Sequence, residues 1–104
     1  MQIIRGEFEG PLRVVDALTV HGRLRAGAIV APGAKLIFRG VAEGDIVVEP
    51  QGNAELWGVI EGSIYNTNGR VCVFGLVTGD VDTVGNAVTA VSHDSVVRGV
   101  QRQS

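Results

Sequence analysis

The sequence repeats a short motif every 16–18 residues, and this repeat restricts the possible folds more than any other feature of the chain. Each copy reads apolar–x–Gly–x–apolar–x–(Gly or Ala)–x–apolar. The leading glycines of the five copies are Gly6, Gly22, Gly40, Gly58 and Gly75. Repeats that contain a helix usually need about 20–47 residues. The shorter interval favours a coil of short strands, in which each strand stacks on its counterpart one turn away at about 4.8 Å.

Within each copy the apolar residues alternate, as strands with one buried face require. Stacking the copies predicts three inward columns. The columns are Ile4, Val20, Phe38, Leu56 and Val73; Phe8, Leu24, Ala42, Ile60 and Val77; and Leu12, Ala28, Ile46, Ile64 and Val81. Turn pairs recur once per coil at Pro32-Gly33, Gly52-Asn53, Asn68-Gly69 and Gly85-Asn86, where we expect positive φ. The sequence predicts an all-β, single-domain β-solenoid of about five rungs over residues 1–88 and a C-terminal cap or tail over residues 89–104.

Composition and charge exclude several classes of partner and of structural feature. The 104 residues suit one domain. A net charge of −2 argues against nucleic acid as a partner. The single cysteine, Cys72, excludes an internal disulfide framework. No apolar run approaches the roughly 18 residues of a membrane span, and the N-terminal residues lack the pattern of a signal peptide. We therefore expect a cytoplasmic protein without a membrane span.

The phasing Gly–x–apolar–x–Gly–(Asp or Ser)–apolar resembles the bactofilin family. It occurs at Gly40 to Ile46, Gly58 to Ile64 and Gly75 to Val81. The resemblance implies a right-handed triangular β-helix that polymerises without nucleotide into bacterial cytoskeletal filaments or scaffolds. The chain has fewer rungs than is common in that family and lacks its Pro-rich and charged flanks.

A left-handed hexapeptide β-helix is the competing coil. Apolar residues stand six apart from Leu12 to Ile60, but the series reaches a polar residue at Asn66. The outer copies also depart from 18 residues, which strict hexads tolerate poorly. We therefore favour the right-handed form.

Residues that could carry chemistry are few. His93-Asp94-Ser95 holds the residue types of a hydrolase triad, but sequence neighbours cannot adopt triad geometry. His21 lies at an outward position, and Cys72 precedes an inward valine, so we interpret them as a surface side chain and a structural thiol. We predict no enzymatic activity, no cofactor and no metal.

The outward charged residues and the aspartates in the turns also have structural interpretations. Glu9, Arg25, Glu43 and Glu61 share one outward column, where we expect a solvated charge ladder with Arg25 beside Glu43. Asp45 and Asp80 follow glycines in turns, where we expect their carboxylates to accept hydrogen bonds from the turn backbone.

One outward surface is apolar, and this is the predicted interface. The residues flanking the leading glycines are charged in the first two copies and apolar from the third onward. The predicted interface residues are Val41, Trp57, Val59, Phe74 and Leu76, with Val47 and Tyr65 in a second outward column. A contiguous exposed apolar patch usually marks an interaction site. The alternative is that residues 87–103 fold back and cover it.

Three functions remain open. The first is a self-associating, bactofilin-like structural scaffold. The second is an immunity or antitoxin protein that binds and blocks a toxin, and the third is a hexapeptide-type enzyme. A solenoid also has two ends whose edge strands need a cap. If residues 1–3 and the tail cap these ends poorly, we expect end-to-end stacking by β-pairing.

Overall fold

A computed structural model of the chain describes residues 2–103, in which fifteen short strands form a solenoid of about six turns without a helix. Coils one to three each begin with a long strand: β1 (Gln2–Phe8), β3 (Ala17–Leu24) and β5 (Lys35–Glu43). In coils four to six this strand is divided into β7 (Asn53–Leu56) and β8 (Val59–Glu61), β10 (Arg70–Val73) and β11 (Leu76–Val77), and β13 (Val88–Val91) and β14 (Val96–Val97). The remaining side of the coils consists of β2 (Leu12–Val14), β4 (Ala28–Val30), β6 (Ile46–Val48), β9 (Ile64–Thr67), β12 (Val81–Val84) and β15 (Gln101–Gln103).

Every strand pairs in parallel with its counterpart in the adjacent coil, and the register confirms all three predicted columns. Ile4 pairs with Val20, Val20 with Phe38, and Phe38 with Leu56. The columns that begin at Phe8 and Leu12 follow in the same way. Their members in coils two to five are buried. The hydrophobic interior therefore runs along the axis of the stack.

The coils differ in length at identifiable corners. Two residues separate Val14 from Ala17 in the first coil, whereas four separate their register partners Val30 and Lys35. Two residues separate Val73 from Leu76 in the fifth coil, whereas four, residues 92–95, separate their partners in the sixth. The first coil is thus short at one corner and the sixth is long at another.

Most of the segment predicted as a C-terminal cap or tail, residues 89–104, belongs to the sixth coil. Residues 88–103 contain three strands that pair with β10, β11 and β12, so they continue the stack. The sequence Val97-Arg98-Gly99-Val100 has the form of the start of a sixth, broken copy with Gly99 as its leading glycine. Instead a Cβ on Gly99 would meet the carbonyl oxygen of Gly79. Gly99 therefore stacks on the second glycine of the fifth copy, not on a leading glycine. The longer corner at residues 92–95 shifts the repeat by two residues and explains the difference.

The turn prediction holds for the corners but not for every residue. Positive φ angles occur at Gly33, Gln51, Asn68 and Gly85, one in each of four successive coils. The sequence had indicated Gly52 for the second of these corners. Gly52 is instead buried, and a Cβ there would lie 3.0–3.2 Å from Glu49, Val48 and Val30. Its role is close packing, while Gln51 adopts the left-handed conformation.

Asn66, where the six-residue apolar series reaches a polar residue, still points inward and is fully buried. It pairs with Val48 in the register. Its Nδ2 donates to the Val88 carbonyl and to the Thr89 hydroxyl, both at 3.0 Å, and its Oδ1 accepts from the Gly69 amide at 3.1 Å. Because a buried amide is costly unless it is hydrogen-bonded, these three bonds explain how the interior accommodates it.

Candidate interaction surfaces

The Trp57 strip, defined as Trp57, Phe74, Val41, Val59 and Leu76, lies along the outer side of the leading-glycine column. The Trp57 and Phe74 rings are stacked, with centroids 4.1 Å apart and planes 14° from parallel. The Arg39 guanidinium carbon lies 5.2 Å from the centroid of the Trp57 ring, at cation–π distance. Trp57 nevertheless remains 43% exposed. The aromatic half of the strip is therefore an ordered surface that is open to solvent.

The aliphatic half of the strip is a single column. Val41 pairs with Val59, Val59 with Leu76, and Leu76 with Val96. The first three are half-buried and Val96 is exposed. Within residues 2–103 the tail does not fold back over the strip, because Val96 continues the aliphatic column along the stack. The alternative in which the tail covers the strip is therefore wrong for this part of the chain.

Val47 and Tyr65, also predicted as interface residues, lie in the other sheet. They pair with each other between β6 and β9, and Tyr65 is 40% exposed. Arg13 and Ile29 precede them in this outward column, and Asp82 follows. The predicted interface residues thus occupy two separate surfaces, and the column of Ile29, Val47 and Tyr65 is bounded on both sides by a charged residue, Arg13 or Asp82.

The N-terminal end of the stack is a second apolar surface. Ile4, Phe8 and Leu12 occupy inward positions of the first coil, but they are only half-buried, unlike their partners in coil two. Ile3 and Val15 are 58% and 63% exposed nearby. A depression of about 270 Å³ opens between coils one and two, at the corner that is two residues short. The solenoid interior is therefore accessible from this end.

The edge of β1 adds unpaired backbone to this apolar end. Within residues 2–103, β1 pairs only with β3, and β2 only with β4. Met1 and Ser104 lie outside the described residues, so the predicted cap of residues 1–3 is described only from Gln2. An edge strand beside exposed core residues is a natural site for pairing with another chain. The sequence pattern places Ile4 and Phe8 inward, and only their place in the first coil shows that they are no more than half-buried.

The C-terminal end is more polar. At inward register positions of the sixth coil, the polar Thr89, Gln101 and Gln103 follow Val71, Val81 and Thr83. Val91 and Val97, at the other two inward positions, remain apolar and half-buried. The Thr89 hydroxyl lies 2.7 Å from that of Thr83, which joins it to the hydrogen bonds of Asn66. Such a polar last coil resembles the terminal coils that protect repeat proteins from further stacking.

The triad residue types His93, Asp94 and Ser95 lie in a turn. The Ser95 hydroxyl donates to the Ser92 carbonyl at 2.6 Å, and the Ser95 amide donates to the same oxygen at 3.1 Å. His93 and Asp94 are exposed. This turn is the four-residue corner of the sixth coil, and the Ser95 hydroxyl serves the backbone.

The charge ladder is present, with one difference from the prediction. Arg25 pairs with Glu7 at 2.7 Å and with Glu9 at 4.0 Å, both in the first coil. Hydrogen bonding to Glu7 raises the pKa of the Arg25 guanidinium, which therefore stays charged. The charge of Glu43 also raises the pKa of Arg25, but the guanidinium within ion-pair distance of Glu43 is that of Arg23, at 3.9 Å. Glu43 and Glu61 are register neighbours on β5 and β8.

The two turn aspartates bind backbone, as predicted. Asp45 Oδ1 accepts from the Ser63 amide at 2.9 Å, and Asp80 Oδ1 accepts from the Val100 amide at 2.8 Å. Arg102 also donates to Asp80 Oδ2 at 3.0 Å. These bonds lower the pKa of Asp80, the Val100 bond most strongly. Each aspartate therefore joins one coil to the next.

Cys72 is a half-buried free thiol on β10, between the register partners Glu55 and Ala90. Among residues 2–103, no three or more His, Cys, Asp or Glu side chains are grouped so as to hold a metal ion. The same residues include no helix with the length and hydropathy of a membrane span.

Comparison of the chain with known protein families, curated proteins and solved structures finds no match. Its function is therefore inferred from the surfaces described above.

Proposed function

We propose that this protein is a self-associating structural module that assembles through the N-terminal end of its solenoid. The observation that carries the proposal is the combination, in the first coil, of three half-buried apolar residues at inward positions, the exposed Ile3 and Val15, and an unpaired strand edge. Ile4, Phe8 and Leu12 pack against the core but remain only half-buried in the isolated chain, whereas association would remove the rest of their surface from water and pair the edge of β1. Self-association is one part of what the bactofilin resemblance implies.

The proposed role is non-enzymatic. Its support is that the residues whose side chains could take part in catalysis already have structural partners. Ser95 bonds to the backbone of its own turn, Asp45 and Asp80 bond to the adjacent coil, and Arg25 neutralises Glu7 and Glu9.

Sedimentation of the purified chain over a wide range of concentration tests this function. We expect the wild type to shift from monomer to a larger species as concentration rises. Phe8→Lys should remain monomeric, because a charge at the exposed end would have to be buried on association. Val84→Lys, which adds the same charge at a flank position already 41% exposed, is the matched control and should associate as the wild type does. A wild-type chain that stays monomeric throughout would overturn the proposal.

A second candidate function is the binding of a different protein through the Trp57 strip, as an immunity or antitoxin module would do. The exposed, stacked Trp57 favours it, since tryptophan is enriched at binding hot spots. This surface is a flank of the solenoid and does not involve the ends, so the two functions are compatible.

A further inference from the structure

We infer that the N-terminal end is covered by a second copy of the same chain, related by a two-fold axis through the Gly6 corner, and that the assembly closes at two chains. The inference rests on the proposed function and adds the geometry and the stoichiometry. It follows from the order of residues along β1 and from the contrast between the two ends of the solenoid.

The order of residues on β1 is self-complementary about Gly6. When the edges of two copies pair antiparallel with Gly6 opposite Gly6, Arg5 lies opposite Glu7 of the second copy and Ile4 lies opposite Phe8. The first pair joins opposite charges, and the second joins two inward apolar residues that are half-buried in one chain. A two-fold axis forms each pair twice, as an isologous interface requires.

Two further observations on this coil agree with that register. Within residues 2–103 the Arg5 side chain is exposed and forms no ion pair, so its guanidinium is available to a carboxylate of another chain. Every later leading glycine lies against the carbonyl oxygen of the glycine before it, whereas a Cβ on Gly6 would meet no atom within 4 Å. The outer side of this corner therefore has room for another backbone.

In this dimer, Arg13 at the centre of β2 would lie near Arg13 of the second copy, across the same axis. Its guanidinium extends away from the end and pairs with Glu49, which belongs to the third coil, at 3.2 Å. This ion pair lessens the repulsion between the two Arg13 side chains.

The C-terminal end matches the N-terminal end only in part. Head-to-tail stacking would continue the columns of Ile4 and Phe8 with Val91 and Val97. It would place Leu12 and Val14 against Gln101 and Gln103. It would also bring the glycine corner of β1 against the four-residue turn at residues 92–95. Because heterologous contacts continue into filaments and isologous ones close, this mismatch limits the assembly to a dimer.

Charge reversal tests the two-fold register. Arg5→Glu alone creates two Glu–Glu pairs per dimer. Glu7→Arg alone creates two Arg–Arg pairs and also removes the carboxylate that Arg25 binds within the chain. Each variant should lose affinity by about tenfold or more. An equimolar mixture of the two variants should recover a dimer, because each of the two carboxylates of the first variant then faces a guanidinium of the second. Sedimentation and native mass spectrometry of each variant and of the mixture measure this.

Arg98→Glu is the matched control, since it makes the same charge change on the sixth coil, where Arg98 is exposed. Circular dichroism checks that each variant is folded. We expect Arg98→Glu to dimerise normally and the wild type to stop at two chains. Filaments, a loss of association in Arg98→Glu, or a mixture no stronger than its components would overturn the two-fold inference while self-association stands. A wild-type monomer at every concentration would overturn both.

Discussion

At the scale of the residue, the leading glycines are required by the close approach of successive coils. A Cβ on Gly58 would lie 2.0 Å from the carbonyl oxygen of Gly40, and one on Gly75 would lie 2.0 Å from that of Gly58. The obstacle is backbone in both cases, so no side-chain rotation relieves the clash. Gly58 does not have a positive φ, which makes it a test of packing alone.

We therefore expect Gly58→Ala to lower the free energy of unfolding by about 3 kcal/mol or more, because the coils must separate to admit a methyl group. Gly10→Ala is the matched control, since a Cβ at Gly10 meets no atom within 4 Å. Urea unfolding of both variants measures the difference. Equal stabilities for Gly58→Ala and the wild type would contradict the packing of the glycine column.

Sequence patterns predicted the inward columns residue by residue, because alternation and the repeat fix the register together. They failed at Asn66, which was interpreted as a break in the apolar series. Its burial depends on Val88 and Thr89 of the sixth coil, which lie 22 and 23 residues away in the chain. A pattern of apolar residues does not reveal a polar side chain whose partners come from a coil that the pattern missed.

At the scale of the element, the sixth coil is held to the fifth by Asp80. Its two carboxylate oxygens bind the Val100 amide and Arg102, immediately before and within β15. Because the folded state lowers the pKa of Asp80, its contribution to stability is complete above the ordinary Asp value of about 3.9 and is lost as pH falls through the lower folded value.

We expect the amides of Gln101, Arg102 and Gln103 to lose protection from hydrogen exchange on acidification below about pH 4, before the inner coils do. Asp80→Ala should remove this protection already at neutral pH. Asp80→Asn, which keeps an acceptor for Val100 but cannot titrate, should be intermediate and lack the pH dependence. Asp94→Asn, in the exposed turn, is the control. Unchanged protection in Asp80→Ala would show that strand pairing with β12 holds the coil by itself.

The sixth coil is also the one coil that the sequence repeat did not predict. Five copies were recognised because their spacing varies by at most two residues, and the sixth was not, because its glycine corner is replaced by the turn at residues 92–95. Gly99 then appeared to lead a copy, although it aligns with Gly79. An insertion at one corner changes the apparent phase of a repeat without disturbing the strands on either side.

At the scale of the whole molecule, the two apolar surfaces, the N-terminal end and the Trp57 strip, lie on different coils of the solenoid. The N-terminal end lies on the first coil, and the aromatic part of the Trp57 strip lies on coils four and five. The sequence predicted the strip from the contrast between charged and apolar outward residues. It did not predict how open the end is, because Ile4 and Phe8 have the same pattern there as residues that are fully buried in later coils.

We expect these surfaces to act independently, and a Trp57→Ala, Phe74→Ala double variant tests this. It should keep its β-sheet circular dichroism and lose no more than about 2 kcal/mol of stability, since the ring stack is partly exposed and such a pair contributes about 0.5–1.5 kcal/mol beyond its burial. Its self-association should equal that of the wild type, whereas any binding of a different protein through the strip should be lost. Phe8→Lys should show the reverse.

Trp57 is the only tryptophan of the chain, so its fluorescence reports on the strip directly. Self-association through the N-terminal end leaves Trp57 in contact with water, and its emission should stay constant as the wild type is concentrated. A blue shift on concentration, together with a monomeric double variant, would assign self-association to the strip and would contradict the separation of the two surfaces. A constant emission that shifts only when a second protein is added would instead identify the strip as the site for that protein and the end as the site for a second copy of the chain.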